Sequence, residues 1–454
     1  MRFHAIHGLL AAALLCGAWT VPAFAQQAQK PAGWRSPEII ENPEVKLLDS
    51  EGAGKLYQVG EHLVCVMEGT HAEMGFQHGR LLSKQVRHVI KEGYMVRAIW
   101  EQLYTVEYVM AQSERMEKHF PQEYVAEMKA LVEGLKAAGV DDVTYEDVRL
   151  GVTSSEILHY GPDAPPGCSN FAAWGKWTPD GRLIHARNLD WNISADAQDD
   201  AAILIWRPKD GTPFMMLGWA GGIGSVSGMN AHGITIGEMT STSPDATFDG
   251  LPLFLIMRRI LEKARTLDEA VAIMQAGPRT TGWNFIIGDG KIPDARALEV
   301  DAKVCEVYAP MDPKENENTG HWAMEDAVRR TNHPIGEDQL FKLATVMGPS
   351  VGINIEDREQ LRTAIPLLKI QNTWLRYDWL GRQVQERPGA LDVRDAIELL
   401  ANGPVFNHVT LHSFVFDPRN NAAYVAIAGN NPPVTATLRA FTRIDLKEWL
   451  APGS

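Results

Sequence analysis

The run Gly161-Pro162-Asp163-Ala164-Pro165-Pro166-Gly167 is the strongest constraint on how this chain can fold. Three prolines remove backbone donors and fix φ, so neither a helix nor a central strand can pass through it. The chain must break there, and a cysteine, Cys168, follows at once. Ser169 to Trp177 is rich in small and aromatic residues, Thr178-Pro179-Asp180-Gly181 is turn chemistry, and Arg182 to Leu189 alternates polar with apolar. This pattern predicts a β-hairpin. A turn centred near Asp180 and Gly181 would set Cys168 opposite about residues 191 to 193, register free by about two positions. Asp190 and Arg187 then lie close to the sulfur, so a thiol, an acid and a guanidinium share one end of one hairpin.

Composition bounds the rest. With 454 residues, 45% apolar and 22% charged, the chain can bury a large core. Arg2, the apolar run Gly8 to Val21 and Ala23-Phe24-Ala25 before Gln26 have the three parts of a secretory signal peptide. Residues 1–25 are therefore read as a leader, cleaved near Ala25-Gln26, and the protein as periplasmic or secreted. No later segment offers about 18 uninterrupted apolar residues, so no integral membrane span is expected. Losing the leader takes away one arginine and no acid, moving the formal charge from −14 to −15. Such an acidic chain argues against nucleic acid as a partner. Three cysteines remain. Cys65 and Cys305 sit in strand-like apolar runs and read as small buried hydrophobes, whereas Cys168 stands at a loop-to-strand junction and reads as reactive.

Along the mature chain, a polar arm runs from Gln26 to about Pro43, followed by two short strands within Lys46 to Glu68. Ala72 to Phe120 is helix-rich, and Tyr124, Val125, Met128, Leu131, Val132 and Leu135 keep helical spacing up to Gly139. Beyond Cys168 strands dominate: the hairpin, Ala201 to Trp206, Pro213 to Trp219, a Gly-rich crossing from Gly221 to Gly237, Trp283 to Ile287, Arg296 to Val300 and Lys303 to Tyr308. Helices interrupt at Leu253 to Ala264 and at Ala270 to Gln275, behind the capping box Thr266-x-x-Glu269, and return over Asp338 to Leu400. Strand clusters separated by helix clusters indicate an α+β protein of stacked sheets covered by helices. The run Gly221 to Gly228 has neither dinucleotide, nucleophile-elbow nor phosphate-loop spacing. No metal motif is present, since His408 and His412 lack a third ligand, and no cofactor is expected.

The Gly167-Cys168 junction, Arg187-Asn188-Leu189-Asp190, Gly228-Met229-Asn230-Ala231-His232-Gly233, Trp283-Asn284-Phe285-Ile286-Ile287 and Thr331-Asn332-His333-Pro334 together resemble the N-terminal-nucleophile (Ntn) hydrolases. The likeness is to the branch of acyl-coenzyme A:6-aminopenicillanate acyltransferase (peptidase family C45), with choloylglycine hydrolase more distant, and runs from about Gly69 to Asp417. The resemblance implies a four-layer αββα sandwich of two antiparallel sheets covered by helices. It also implies self-cleavage at Gly167-Cys168, giving a smaller helix-rich chain, 26–167, and a larger chain, 168–454, that stay associated in one domain. The freed amine of Cys168 has an ordinary pKa near 8 and can take the thiol proton without any histidine.

By the same resemblance Asp190 holds the cysteine amine, Arg187 tunes the thiolate, Asn332 donates to the oxyanion and Arg376 is the late site arginine, with Arg382 a second candidate. Thr240 stands where choloylglycine hydrolases carry asparagine, which disfavours a bile-salt substrate. The expected activity is cleavage of small linear N-acyl amides through an acyl-thioester on Cys168. The acyl group should lie against the Pro213 to Trp219 and Leu251 to Ile256 segments. The alternatives are acyl transfer of the penicillin acyltransferase type, an ester hydrolase or phospholipase of the same superfamily, or a binding protein without catalysis.

Overall fold

A computed structural model describes residues 36–93, 105–158, 167–191, 197–317, 321–348 and 354–451. The leader and the linker 161–166 lie outside the described residues.

Two large sheets carry the fold. The first runs β1 (Ile39–Ile40), β19 (Phe441–Asp445), β16 (Ala422–Ile427), β15 (Thr410–Asp417), β6 (Gly181–Asp190), β5 (Gly167–Gly175), β14 (Ala327–Arg330). The second runs β13 (Cys305–Tyr308), β12 (Asp294–Val300), β11 (Trp283–Asp289), β10 (Ile234–Thr240), β9 (Ser227–Asn230), β8 (Phe214–Trp219), β7 (Ala201–Pro208), β4 (His62–Gly69), β3 (Gly54–Val59), β2 (Val45–Glu51). A small ribbon of β17 (Gly429–Asn430) and β18 (Pro433–Val434) stands apart. Pairing is antiparallel except β1 with β19 and β4 with β7, which are parallel.

Alternation along single strands shows the layering. On β7, Ala202, Leu204 and Trp206 join the cluster under the helices His71–Leu81, Gln122–Ala137 and Leu253–Lys263, while Ala201, Ile203 and Ile205 face the other sheet. On β5, Phe171 and Ala173 meet Leu380 and Val384 of the helix Asn372–Gln385 and Ile397 of the helix Val393–Leu400, while Cys168, Ala172 and Trp174 face inward. Both faces of both sheets are therefore covered over their central strands, an αββα sandwich with the edge strand β2 exposed, which is why the central strands read as nearly continuous apolar runs.

The hairpin forms, but its register differs from expectation. Cys168 pairs with Leu189 and Gly167 with Asp190, because five residues, 176 to 180, make the turn and a shift intervenes between Ala173 and Gly175. Thr178 Oγ1 caps that longer turn on the Arg182 carbonyl. Since side chains alternate, Arg187 shares the inward face with Cys168 while Asp190 points outward. Lys46 to Glu68 holds three strands rather than two. The short strand β14 was not expected at all, because Ala327-Val328-Arg329-Arg330 carries no strand pattern. Cys65 is fully buried, Cys305 half-buried, and both are free.

The helical layer over the second sheet contains a buried ion cluster. Arg258 donates to Glu127 Oε1 at 2.7 Å and Oε2 at 2.6 Å, and stacks over Tyr124 and Trp206. His71 bridges Glu127 at 2.7 Å and Glu262 at 3.2 Å; burial lowers its pKa, but these carboxylates outweigh that and hold it at about 9. Removing one member of a buried pair costs more than removing both, because a lone charge stays buried. Arg258→Met should therefore lose about 3 to 5 kcal/mol of unfolding free energy, and adding Glu127→Gln should recover a large part. Urea unfolding of the single and double variants checks this; a single variant as stable as the native chain would show that the pair does not hold the layer.

Candidate active site

The site lies where β5 begins, at the edge nearest β14. Register delivers the first groups. Cys168 opposes Leu189, so Arg187, two residues back on the same face, brings its Nη2 to 3.7 Å from the Cys168 sulfur. Arg187 is wholly buried between the sheets, where Glu238 Oε1 accepts from Nη2 at 2.5 Å and Ser227 Oγ accepts from Nη1 at 2.6 Å. Gly237 makes room for it: a Cβ there would sit 2.6 Å from Asn170 Nδ2 and 3.1 Å from Arg187 Cδ.

The second group arrives on β14 and the turn after it. Antiparallel pairing of Arg330 with Asn170 carries the chain past the start of β5, and Asn332 Oδ1 accepts the Cys168 backbone N–H at 2.6 Å. The Asn332 amide donates to the Thr240 carbonyl at 2.9 Å, so Thr240 contributes backbone here. Arg330 is anchored by Glu299 at 3.0 Å and Glu315 at 2.6 Å, and Glu299 also accepts from the backbone of Ile335 and Gly336.

The third group comes from the helix Asn372–Gln385. Arg376 donates from Nη2 to Asn332 Oδ1 at 2.9 Å, from Nη1 to Ser169 Oγ at 3.0 Å and to the Cys168 carbonyl, and from Nε to Asn372 Oδ1 at 2.7 Å. A Cβ at position 167 would lie 2.9 Å from Arg376 Nη2, so the residue before Cys168 must be glycine for this guanidinium to sit there. Arg382 is half a helix further on, exposed and paired with Asp378 at 3.1 Å. Arg376, not Arg382, is the arginine at the site.

Asp190 faces outward from β6. Thr410 Oγ1 donates to it at 2.7 Å and Asn407 Nδ2 at 3.1 Å, and burial raises its pKa against the pull of Arg376. The acceptor on the cysteine nitrogen is thus Asn332, while Asp190 supports the outer side of the same strand end. Burial pushes the Cys168 thiol up to about 11; Arg187 and the Asp190 backbone pull it down, and the Glu238 and Asp190 carboxylates push it up.

All five residues singled out in the sequence, Cys168, Arg187, Asp190, Asn332 and Arg376, come together here. The residues missed are Glu238, Ser227, Ser169, Thr410 and Asn407. Glu238 carried a signal: an acid inside Ile234-Thr235-Ile236-Gly237-Glu238-Met239, a strand apolar enough to be buried, needs a cation. Trp219 and Phe254, one from each segment expected to line the acyl site, pack against the cluster containing Cys168, together with Trp191. Their neighbours Phe214, Leu253 and Ile256 turn into the helical core instead. Among the described residues no group of three His, Cys, Asp or Glu side chains is placed to hold a metal ion.

Residues 177–346 match the family model described as acyl-coenzyme A:6-aminopenicillanic acid acyl-transferase. The middle of the chain carries a domain of that family. This acyl-transferase domain includes Arg187, Asp190, Glu238 and Asn332; Cys168 lies just before it and Arg376 beyond it. An uncharacterized protein of Archaeoglobus fulgidus is 29% identical over 271 residues, 54% of this chain and 45% of the relative, so the match spans less than half of that protein. Protein dcd1B of Dictyostelium discoideum is 24% identical over 418 residues, 88% of this chain and 75% of the relative. Among solved structures, the Caenorhabditis elegans ortholog of N-acylethanolamine-hydrolyzing acid amidase is similar at 17% identity and a TM-score of 0.37, covering 55% of this chain and 93% of that one.

Glu238 sets the charge that Arg187 offers to the sulfur. Replacing it by glutamine removes the carboxylate that raises the thiol pKa and leaves Arg187 uncompensated. In Glu238→Gln the titration midpoint of Cys168 should move down, read by ultraviolet thiolate absorbance in a chain whose other cysteines are replaced. An unchanged or raised midpoint would show that Glu238 does not act on the sulfur.

Proposed function

We propose that this chain is a self-processing Ntn amidase: it cuts its backbone between Gly167 and Cys168, and the freed cysteine cleaves linear N-acyl amides through an acyl-thioester. The observation that carries this reading is the convergence of Arg187, Asn332 and Arg376 on a cysteine that opens a strand and is preceded by an obligatory glycine.

Processing is an acyl shift. Sγ attacks the Gly167 carbonyl carbon, the Gly167–Cys168 C–N bond breaks as its nitrogen takes the thiol proton, and water resolves the thioester into the Gly167 carboxylate and a free Cys168. The new α-amine, ordinarily near pH 8, is then the base that a thiol held up at about 11 requires. In substrate turnover the amine takes the Sγ proton as sulfur attacks the acyl carbonyl, and passes it to the leaving nitrogen when the C–N bond breaks. It then takes a proton from the water that attacks the thioester. Released from the peptide bond, the Cys168 nitrogen would keep Asn332 as its neighbour, and Arg376 and the Asn332 amide would supply donors to a developing oxyanion. Trp219, Phe254 and Trp191 pack, partly exposed, against the apolar cluster that holds Cys168 and would take the acyl group.

The leader read in the sequence would put the enzyme outside the cytoplasm, where water outcompetes acyl-coenzyme A. Hydrolysis is therefore the main reaction, and the acyl-transferase domain supports a second, transfer to an amine that intercepts the thioester. Intact-mass measurement of the purified protein should find two chains meeting at Gly167 and Cys168, and Cys168→Ala should stay as one. The processed enzyme should turn over N-acyl amides, with hydroxylamine diverting part of the acyl group. Turnover of esters alone would replace the amidase reading with the esterase one. A wild-type chain still joined at Gly167-Cys168 yet active would sink the N-terminal mechanism.

Asn332→Ala should lower kcat by ~100-fold or more, with a small change in melting temperature. Parallel losses of activity and melting temperature would reduce Asn332 to a turn residue.

A further inference from the structure

Asn332 and Arg376 belong to different elements, yet they must meet one cysteine within hydrogen-bonding tolerance. What joins the two elements is a buried aromatic and hydroxyl cluster that the chemistry above does not use. The rings of His333 and His321 stack on Trp374, with centroids 4.5 and 4.3 Å away, and their Nε2 atoms are 3.1 Å apart. His333 Nδ1 lies 2.9 Å from Thr373 Oγ1 and 3.2 Å from Thr331 Oγ1, and the Thr373 hydroxyl accepts the Asn332 backbone N–H at 2.9 Å. Thr373 Oγ1 is 3.0 Å from Thr331 Oγ1, which donates to the Thr373 carbonyl at 2.9 Å. Asn284 Nδ2 closes the loop from below, donating to the Thr331 and His333 carbonyls, both at 2.9 Å.

Proton counting gives this cluster a direction. Thr331 spends its hydroxyl proton on the Thr373 carbonyl, so its oxygen is free to accept from Thr373. Thr373 Oγ1 then accepts twice, from the Asn332 N–H and from a His333 Nδ1–H. His333 Nε2 is left as the acceptor for His321 Nε2–H, and His321 Nδ1, which has no partner among the described residues, carries only a lone pair. The opposite direction would put an N–H on that atom, and orphaned buried N–H groups are rare whereas unpaired acceptors are less so. Burial, then the nearby Arg376 and Arg330, holds His333 far below the usual histidine range, so the ring stays neutral and the tautomer stays single.

We propose that His333 is a positioning residue. Its Nδ1–H clamps the turn Thr331-Asn332-His333 onto the first turn of the helix Asn372–Gln385, and so fixes Asn332 and Arg376 together around Cys168. The inference rests on the self-processing amidase reading for its activity arm, while its spectroscopic arm stands apart from it. In histidine-labelled full-length protein, nitrogen NMR should show His333 as the Nδ1–H tautomer and unchanged between roughly pH 5 and 8. An Nε2–H tautomer, or titration in that window, would overturn the proposal.

In the activity arm, asparagine can place an amide N–H where Nδ1–H was, and glutamine cannot. His333→Gln should slow both self-cleavage and kcat by about 30-fold or more with KM little changed, while His333→Asn should recover most of the loss at a similar melting temperature. If the two variants are equally active, or if activity simply follows melting temperature, His333 is a packing residue and the inference fails. A wild-type chain that neither processes nor turns over amides would instead remove the amidase reading, and the tautomer result would still decide the clamp.

Discussion

The Arg376 guanidinium is the contact on which the site depends. It reaches the carbonyl of Cys168, the hydroxyl of Ser169, the side chain of Asn332 and the side chain of Asn372, and so ties the start of β5, the turn after β14 and one helix to a single planar cation. A fork of donors in fixed geometry suits this better than a flexible ammonium could. The same cation dictates sequence at a distance: it occupies the space where any side chain at position 167 would begin. A glycine before the cysteine follows from the packing of residue 376 together with the positive φ of 157° at position 167.

Electrostatics around the sulfur hold it back rather than activate it. Burial raises the thiol to about 11, and Arg187, the natural activator, is matched at 2.5 Å by Glu238 in the space between the sheets. A buried, compensated guanidinium gives a polarised but protonated thiol at neutral pH. Any chemistry at Cys168 then needs a base brought to it, and an amine on the same residue is the shortest route. On that view the carboxylate beside Arg187 is part of the timing, because a thiolate formed before the amine exists would be open to oxidation.

How much of this could be read from the sequence follows from which interactions are local. The hairpin, its cysteine and the Arg187 to Asp190 run were legible because proline, glycine and alternation act over a few residues, and the layered α+β class was legible from the clustering of strands and helices. The register was not, since a longer turn and one shift in β5 moved every partner, and with a period of two that decided that Asp190 faces away from the thiol. The strand β14 was hidden because Arg329 and Arg330 look like surface residues until their buried partners Glu299, Glu315 and Tyr377 are seen. Resemblance reached Asn332 and Arg376, but no spacing rule ties residue 332 to residue 168. Only tertiary pairing does.

The proposed break at Gly167-Cys168 would have to leave one folded body, and the architecture is compatible with that. The strand β4, before the break, lies between β3, to which it runs antiparallel, and β7, to which it runs parallel, so the ten-stranded sheet is built from both sides of the junction. Above it, His71, Tyr124 and Glu127 on one side of the break meet Trp206, Arg258 and Glu262 on the other in a largely buried cluster. Glu156, shortly before the linker, is likewise held by Thr280, Thr281 and the Leu253 backbone. Cutting one peptide bond at the start of β5 would remove none of these contacts. It would convert an internal strand residue into a chain terminus whose nitrogen is already beside Asn332, at the point where the two halves of the sequence share a core.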